Sequence, residues 1–450
     1  MSGNGYQELA SSVIKMALDR GATGAECTVS QGEEFSVSVR MREVESLKEA
    51  GSRGAGLRVL AGKRAGSAYT SDLTPEGIRH MVTSAIEIAQ ITGEDPHAGL
   101  PDADELGAIP GDLQLYSEDI AGLETAHKLD QARRAEAAAL STDPRISNSE
   151  GASFDSHLGF HAFANSLGFS GSYRTSSCSI SAVPVARQGD SMERDYWFSL
   201  ARSPRSLESP EEIGRKAAER AVRRLGARKV PTQKVPIVFE PRTARSLLDN
   251  IFEAVTGDAI YRKASFLAGQ LGNRIASESV TVIDDGTLPG LFGTSPFDDE
   301  GVPSRRTVII DKGVLKSYLL NSYTARKLGL RTTGNASRGI AGNAGIGHGN
   351  LFLEKGLHSA EDIFKRVGTG LYVTELMGSG VNVVTGDYSR GAAGLWIENG
   401  ELAYPVSEVT IAGNLRQMLL DIEAVGSDLE FRGSTAAPTL MVREMTISGQ

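Results

Sequence analysis

Glycine fills 51 of the 450 positions of this chain, well above the roughly 7% of an average globular protein, and some of it stands where two strands must reverse. Asn399-Gly400 separates the extended run 395–398 from 402–405, and Asp311-Lys312-Gly313 separates 307–310 from 314–320. Asn-Gly between such runs is the strongest short-range hairpin signal, because a tight hairpin turn needs positive φ at both central residues. These turns predict an α+β chain whose C-terminal half is a large, strongly curved, mainly antiparallel sheet carrying a few helices. Fixed-period repeats are absent, which argues against a solenoid.

At 450 residues the chain exceeds what one hydrophobic core usually supports, so two or three domains are expected. Tyr6, Leu9, Val13 and Ala17 recur at helical spacing and Gly21 follows as a C-cap, which predicts an opening amphipathic helix. Phe35, Val37, Val39 and Met41 alternate with polar residues, the signature of a half-buried strand. Leu57 and Val59 suggest another strand, and Thr74-Pro75-Glu76 opens a helix with proline in its first turn. The Pro- and Asp-rich stretch 96–112 reads as a connection, so 1–112 forms a first α+β unit.

The run 123–140 is Ala-rich and helical, and from 146 to 200 short strands and Gly-Ser turns are expected. Ser209-Pro210-Glu211-Glu212 caps a basic helix ending near Gly226, and 229–234 reads as a linker. The second unit is therefore 113–228, and the β-rich domain is 229–450.

Composition narrows the function. A formal charge of -9 opposes broad contact with phosphate backbones. No apolar run approaches the roughly twenty residues of a membrane-spanning helix. The first eight residues lack a secretory pattern, and two cysteines in the whole chain suit a reducing compartment, so a cytoplasmic location is expected.

Several constellations have bland readings. His157 and His161 lie four apart without a carboxylate or thiol at ligand spacing, and read as packing or surface residues. The glycine-dense 339–349 segment lacks the Gly-Lys-Ser/Thr ending of a phosphate loop, and reads as a flexible loop. Gly168-Phe169-Ser170-Gly171 is not a nucleophile elbow, and Cys178 has no neighbour that would activate it. Asp284-Asp285 and Asp298-Asp299-Glu300 read as turn residues that need no ion. Thr385-Gly386-Asp387-Tyr388-Ser389-Arg390-Gly391 is either a tight turn with an Asp-Arg pair or a binding loop, with Asp387, Tyr388, Ser389 and Arg390 its candidate contacts.

Leu247-Leu248-Asp249-Asn250-Ile251-Phe252-Glu253-Ala254, followed by Tyr261-Arg262-Lys263, the acidic loops above and the Gly386–Gly391 segment, resembles the TldD/PmbA family, also called the modulator of DNA gyrase family, in its PmbA (TldE) branch. Met192-Glu193-Arg194-Asp195-Tyr196 and Thr374-Glu375-Leu376-Met377-Gly378 extend the resemblance over nearly the whole chain. In the TldD branch, a zinc peptidase, the Leu-Leu pair precedes His-Glu-x-x-x-His. Imidazoles about one helical turn apart hold the metal there, and the Glu activates its water. Asp249, Asn250 and Ala254 occupy those positions here, and no Cys follows Gly426 to match that branch's thiolate ligand.

The resemblance therefore implies a chain with no metal site, catalytic residue or cofactor of its own. Its expected partner is a TldD-like catalytic subunit that carries the zinc. Together the two would form a cytoplasmic protease that trims unfolded polypeptides, an antitoxin and peptide-antibiotic precursors, with extended peptide added to a sheet edge. Two alternatives stay open: a homodimeric peptide-binding protein without protease activity, and an independent hydrolase with a rebuilt metal site using Asp249, Glu253 or Asp258. Neither nucleic acid nor membrane is an expected partner.

Overall fold

The computed structural model describes residues 3–449. Helix α1 (Gly3–Asp19) buries Tyr6, Val13 and Ala17 at the expected spacing, and Gly21 ends it at φ 95°. Strands β1 (Gly24–Arg40), β2 (Glu43–Ala61) and β3 (Arg64–Thr70) follow, then α2 (Pro75–Ile91), whose first turn is capped by the Thr74 side chain. Phe35, Val37 and Val39 enter the core as the alternation predicts, but Met41 does not. Met41 and Arg42 form the β1–β2 turn at φ 50° and 73°, and their N–H groups donate to Glu136 Oε1 and Oε2, each at 2.7 Å. Two consecutive left-handed residues without glycine are strained. The buried carboxylate offsets that strain with two charge-assisted bonds.

Glu136 belongs to α3 (Thr125–Thr142), which precedes β4 (Ile146–Asn165), β5 (Ser170–Gln188), β6 (Ser191–Arg194), β7 (Trp197–Ala201) and α4 (Pro210–Val222). The short strands expected between 146 and 200 are instead led by strands of 20 and 19 residues. In β5 the residues Ser177, Ser179 and Ser181 line the outer face while Cys178, Ile180 and Ala182 are buried. Serines that suggest turns by composition are the polar half of a period-two pattern. All pairings in this seven-stranded sheet are antiparallel, in the order β3-β2-β1-β4-β5-β6 with β7 beside β5. The ladder from Glu26↔Asn165 to Val39↔Ala152 joins β1 to β4, so the sheet is continuous across the 96–112 connection. It curls into a half-barrel.

The C-terminal half begins with β8 (Gln233–Phe239) and α5 (Pro241–Val255). β8 pairs in parallel with Gly370–Met377 and antiparallel with Leu440–Ser448. These pair in turn with Asp387–Glu398 and Glu401–Asn414, which pair with each other, so the sheet closes on itself. One parallel pairing in that ring leaves it mainly antiparallel and strongly curved, as the turn chemistry predicts. Asn399-Gly400 makes its hairpin at φ 54° and 80°. The turn at Lys312-Gly313 also forms, but its returning strand is only Val314–Leu315. α5 buries Leu247, Leu248, Ile251, Ala254 and Val255 in the large C-terminal core.

The glycine-dense 339–349 segment is a docked loop rather than a free one. It lies across β2, where a Cβ on Gly56 would sit 1.6 Å from the Ile340 carbonyl oxygen. Arg58 Nε donates to Asn343 Oδ1 at 2.9 Å, and Arg338 donates to Glu26 at 2.7 Å. No helix of the described residues is long and apolar enough to cross a membrane.

Candidate functional site

Four of the segments that stood out in the sequence, around 194–196, 242–249, 374–376 and 390, meet at one cavity of about 610 Å³ between the central and C-terminal parts. One wall is the amphipathic α5, whose apolar stripe is consumed by the core and whose other face offers Arg242, Arg245, Ser246 and Asp249. Thr374, Glu375 and Leu376 form a second wall, with Arg390 beside them. The central part closes the cavity with Glu150, Arg194, Asp195, Tyr196 and Arg224.

An ion network fixes these walls together. Glu240, the N-cap residue of α5, faces Arg220 at 2.8 Å, Arg242 at 3.3 Å and Arg223 at 3.5 Å. Asp195 faces Arg220 at 3.2 Å and Arg242 at 3.5 Å. Burial alone would raise the Asp195 carboxyl, but Arg220 and Arg242 hold it below the usual carboxylate range. Arg224 lies 3.2 Å from Glu193 and 2.5 Å from Glu375, and Arg194 pairs with Glu150. Arg390 has no ion-pair partner among the described residues and its Nε is buried without an acceptor, whereas Arg245 stands one helical turn before Asp249 and acts on that carboxyl from beyond ion-pair distance.

The positions matched to the zinc motif do not share a face. Residues 249 and 254 are five apart, about 140° around an α-helix, and the structure exposes Asp249 while burying Ala254 completely. One helical turn therefore does not bring this pair together. Partial enclosure at the cavity wall pushes the Asp249 carboxyl up, opposed by Arg245, His348 and a hydrogen bond with Thr435. Asn250 contributes a neutral amide whose Nδ2 is buried without a partner among the described residues, and the Ala254 carbonyl accepts from Ser265 Oγ at 2.6 Å. The nearby imidazole of His348 has Nδ1 2.8 Å from its neighbour's Gly349 oxygen. One carboxylate, one amide and one methyl do not make a zinc donor set. Among the described residues no three His, Cys, Asp or Glu side chains are grouped to hold a metal. Glu253 is exposed, and Asp258 faces Arg262 at 3.9 Å.

In the segment 385–391, Thr385 and Gly386 (φ 87°) do lie in a tight turn, which joins Val381–Asn382 to its antiparallel partner, but no Asp-Arg pair closes it, and 387–390 start the strand Asp387–Glu398. Asp387 accepts from Thr385 Oγ1 at 2.7 Å and Asn414 Nδ2 at 3.2 Å, Tyr388 is buried, and Ser389 is exposed. Of these four candidates, Arg390 alone lines the cavity.

Other candidates lie elsewhere. His157 is partly exposed, whereas His161 is enclosed beside Tyr173 and 3.9 Å from Asp299, with its imidazole pKa lowered chiefly by burial. Cys178 is buried, which pushes its thiol up to about 12. Asp284 and Asp285 close a buried strand, Val282–Asp285, rather than occupying a turn.

Asp298 does sit in a turn, but deep inside, accepting N–H bonds from Glu300 at 2.9 Å, Val302 at 3.0 Å and Ala336 at 2.9 Å. Burial and the neighbouring Glu300 push it up to about 8 against those bonds. An unfolded aspartate titrates near pH ~4, so the folded chain holds an extra proton between these values. This group's contribution to stability therefore falls as pH rises from about 4 to about 8. Asp298→Asn is expected to flatten that fall, with a pH-independent offset from the lost second acceptor. Melting temperature against pH is the readout, and parallel curves for both proteins would refute the assignment.

A curled half-barrel tied by buried ion pairs to a closed sheet, with a cavity at the junction, defines the structural class. The chain belongs to the PmbA/TldA metallopeptidase family: its domain 1, central and C-terminal domain models match residues 25–89, 118–225 and 232–449. It is 41% identical to "Metalloprotease PmbA" of Escherichia coli O157:H7, covering 99% of this chain and 96% of that protein. A Bacteroides thetaiotaomicron protein, described as a candidate modulator of DNA gyrase, matches with TM-score 0.91 and 30% identity over 98% of each chain. TldE from Thermococcus kodakarensis shares the fold, with TM-score 0.85 and 23% identity over 98% of this chain and 100% of that one.

Sequence reasoning passed over Arg242, Arg245 and Arg224. Their signal was available only in part: Arg242 and Arg245 are three apart on the polar face of α5. Asp249 follows Arg245 by one turn and Glu240 precedes Arg242 by two residues, whereas the carboxylates facing Arg224 come from distant segments.

Proposed function

We propose that this chain is the non-catalytic, PmbA/TldE-type subunit of a cytoplasmic TldD/TldE-type zinc metalloprotease. It assists cleavage of unfolded peptides and peptide-antibiotic precursors, while a TldD-like partner carries the zinc. The observation behind this reading is α5, which offers one exposed carboxylate and an amide where a zinc peptidase needs two imidazoles and a base, with Ala254 turned into the core. In that role the chain's residues shape a chamber and hold extended substrate.

Zinc content and cleavage of an unfolded polypeptide are to be measured on the chain alone, on the TldD-like partner and on their mixture. The expected result is turnover in the mixture only, with the metal in the partner. Stoichiometric zinc and turnover in the single chain, or an inactive mixture, would overturn the reading.

A further inference from the structure

We propose that the cavity beside α5 is an anchoring site for a carboxylate of an extended peptide, with Arg245 and Arg390 as its cations and the free edge of Gly370–Met377 as its backbone rail. The inference rests on the subunit reading and gives it a substrate-contacting site.

The other three arginines of the cavity wall are matched: Arg194 to Glu150, Arg224 to Glu193 and Glu375, and Arg242 to Asp195 and Glu240. Arg390 breaks that pattern, and its buried guanidinium N–H without an acceptor is costly unless a ligand supplies one; Arg245, in the same cavity, has only the more distant carboxyl of Asp249 and no ion-pair contact among the described residues. Planar guanidinium donors match a carboxylate in geometry as well as charge.

The backbone explains why the anion belongs to a peptide. Strand Gly370–Met377 pairs with Asp387–Glu398 along its length, but with β8 only from Leu371 to Val373. β8 ends at Phe239, and Glu240 N–H and Thr243 Oγ1 then take up the Val373 carbonyl, at 3.1 and 2.9 Å. Among the described residues Thr374 to Met377 therefore have no strand on that side, and Thr374, Glu375 and Leu376 line the cavity. An added strand finds backbone partners there, with affinity nearly independent of sequence, and the two arginines receive its carboxylate. A free inorganic anion would use the arginines and leave the edge unpaired.

The carboxylate is either a chain terminus or an Asp or Glu side chain. The test uses an N-terminally labelled, uncharged apolar hexapeptide as free acid, as C-terminal amide, and as an amide with one internal Asp. Fluorescence anisotropy is followed on the full-length chain and on R390Q, R390K and R245Q, with melting temperature as the folding check. The free acid, the Asp-containing amide or both are expected to bind about tenfold or more tightly than the plain amide. R390Q or R245Q should remove that preference, and R390K should restore part of it in a folded protein. Which peptide gains identifies the source of the carboxylate.

Equal binding of all three peptides, an unchanged preference in both Gln variants, or no binding at all would overturn the site. Equal binding leaves the subunit reading intact. An acid preference in the chain together with an inactive mixture would sink that reading while the site stands.

Discussion

Arg338→Met lowers the stability of this chain by about 3–5 kcal/mol, the range for removing one partner of a buried ion pair. Arg338 donates to Glu26 Oε1 at 2.7 Å from the docked 339–349 side of the molecule, and Arg58 reaches the same oxygen at 2.8 Å from β2. The Arg338 and Glu26 side chains are 4% and 2% exposed. Burial alone would raise the Glu26 carboxyl, and the two guanidinium groups reverse this to leave it below its ordinary value. Its contribution is thus present above the unfolded carboxylate pKa and is lost as pH falls through the lower folded one. Without Arg338 the carboxylate keeps one cation and feels Glu300 more strongly, so its pKa rises and the variant's deficit should shrink in acid. Thermal unfolding is expected to show a loss of about 3–5 °C at neutral pH, narrowing towards pH ~4. Glu26→Gln in the Arg338→Met background should recover part of the loss, because no uncompensated charge remains. A single variant that melts with the wild type at neutral pH would show that the pair does not hold the loop to β1.

How much of this was legible in the sequence depends on the range of the signal. The Asn399-Gly400 hairpin, the Thr74 cap and the α1 stripe are local patterns, and each formed where the residues placed it. The alternation of β1 was readable to Val39 and misleading at Met41, because that turn is held by Glu136, a residue 95 positions away. The serines of β5 resemble turn residues until strands on both sides supply their ladder partners. The loop 339–349 reads as flexible for the same reason: its glycines are visible in the sequence, and the β2 surface that immobilises it is not. The site divides in the same way. Asp249, Asn250 and Ala254 could be marked as positions, but the rotation that exposes the first and buries the last belongs to the packed helix. Five arginines around one cavity arise from segments spanning 194 to 390, and that Arg390 is the one left with a buried N–H and no acceptor is decided only when they meet.

Glu240→Gln is expected to loosen the junction that shapes the cavity, at a cost of about 3 kcal/mol or more. The Glu240 carboxylate is 5% exposed and stands among Arg220, Arg223 and Arg242, with Asp195 as the other acid of the group. Arg220 and Arg223 come from α4 and the turn after it, Asp195 follows β6, and Glu240 and Arg242 begin α5. The network therefore joins the central part of the chain to the helix carrying Arg245 and Asp249. Neutralising Glu240 leaves three guanidinium groups sharing one carboxylate in a poorly solvated site, and separating the two parts would relieve their repulsion. The expected result is a lower melting temperature, together with faster tryptic cleavage after Lys229 in the exposed connection. Arg220→Met should partly restore the Glu240→Gln variant, and the two changes should be strongly non-additive, as contacting members of one network are. Such rescue separates an electrostatic junction from simple loss of packing, since a packing defect at Glu240 would be deepened by a second substitution. Binding of the carboxylate-bearing peptide should weaken in Glu240→Gln and recover in the double variant, because Arg245 is carried on the helix this network positions. Additive losses in stability and binding would refute the electrostatic account.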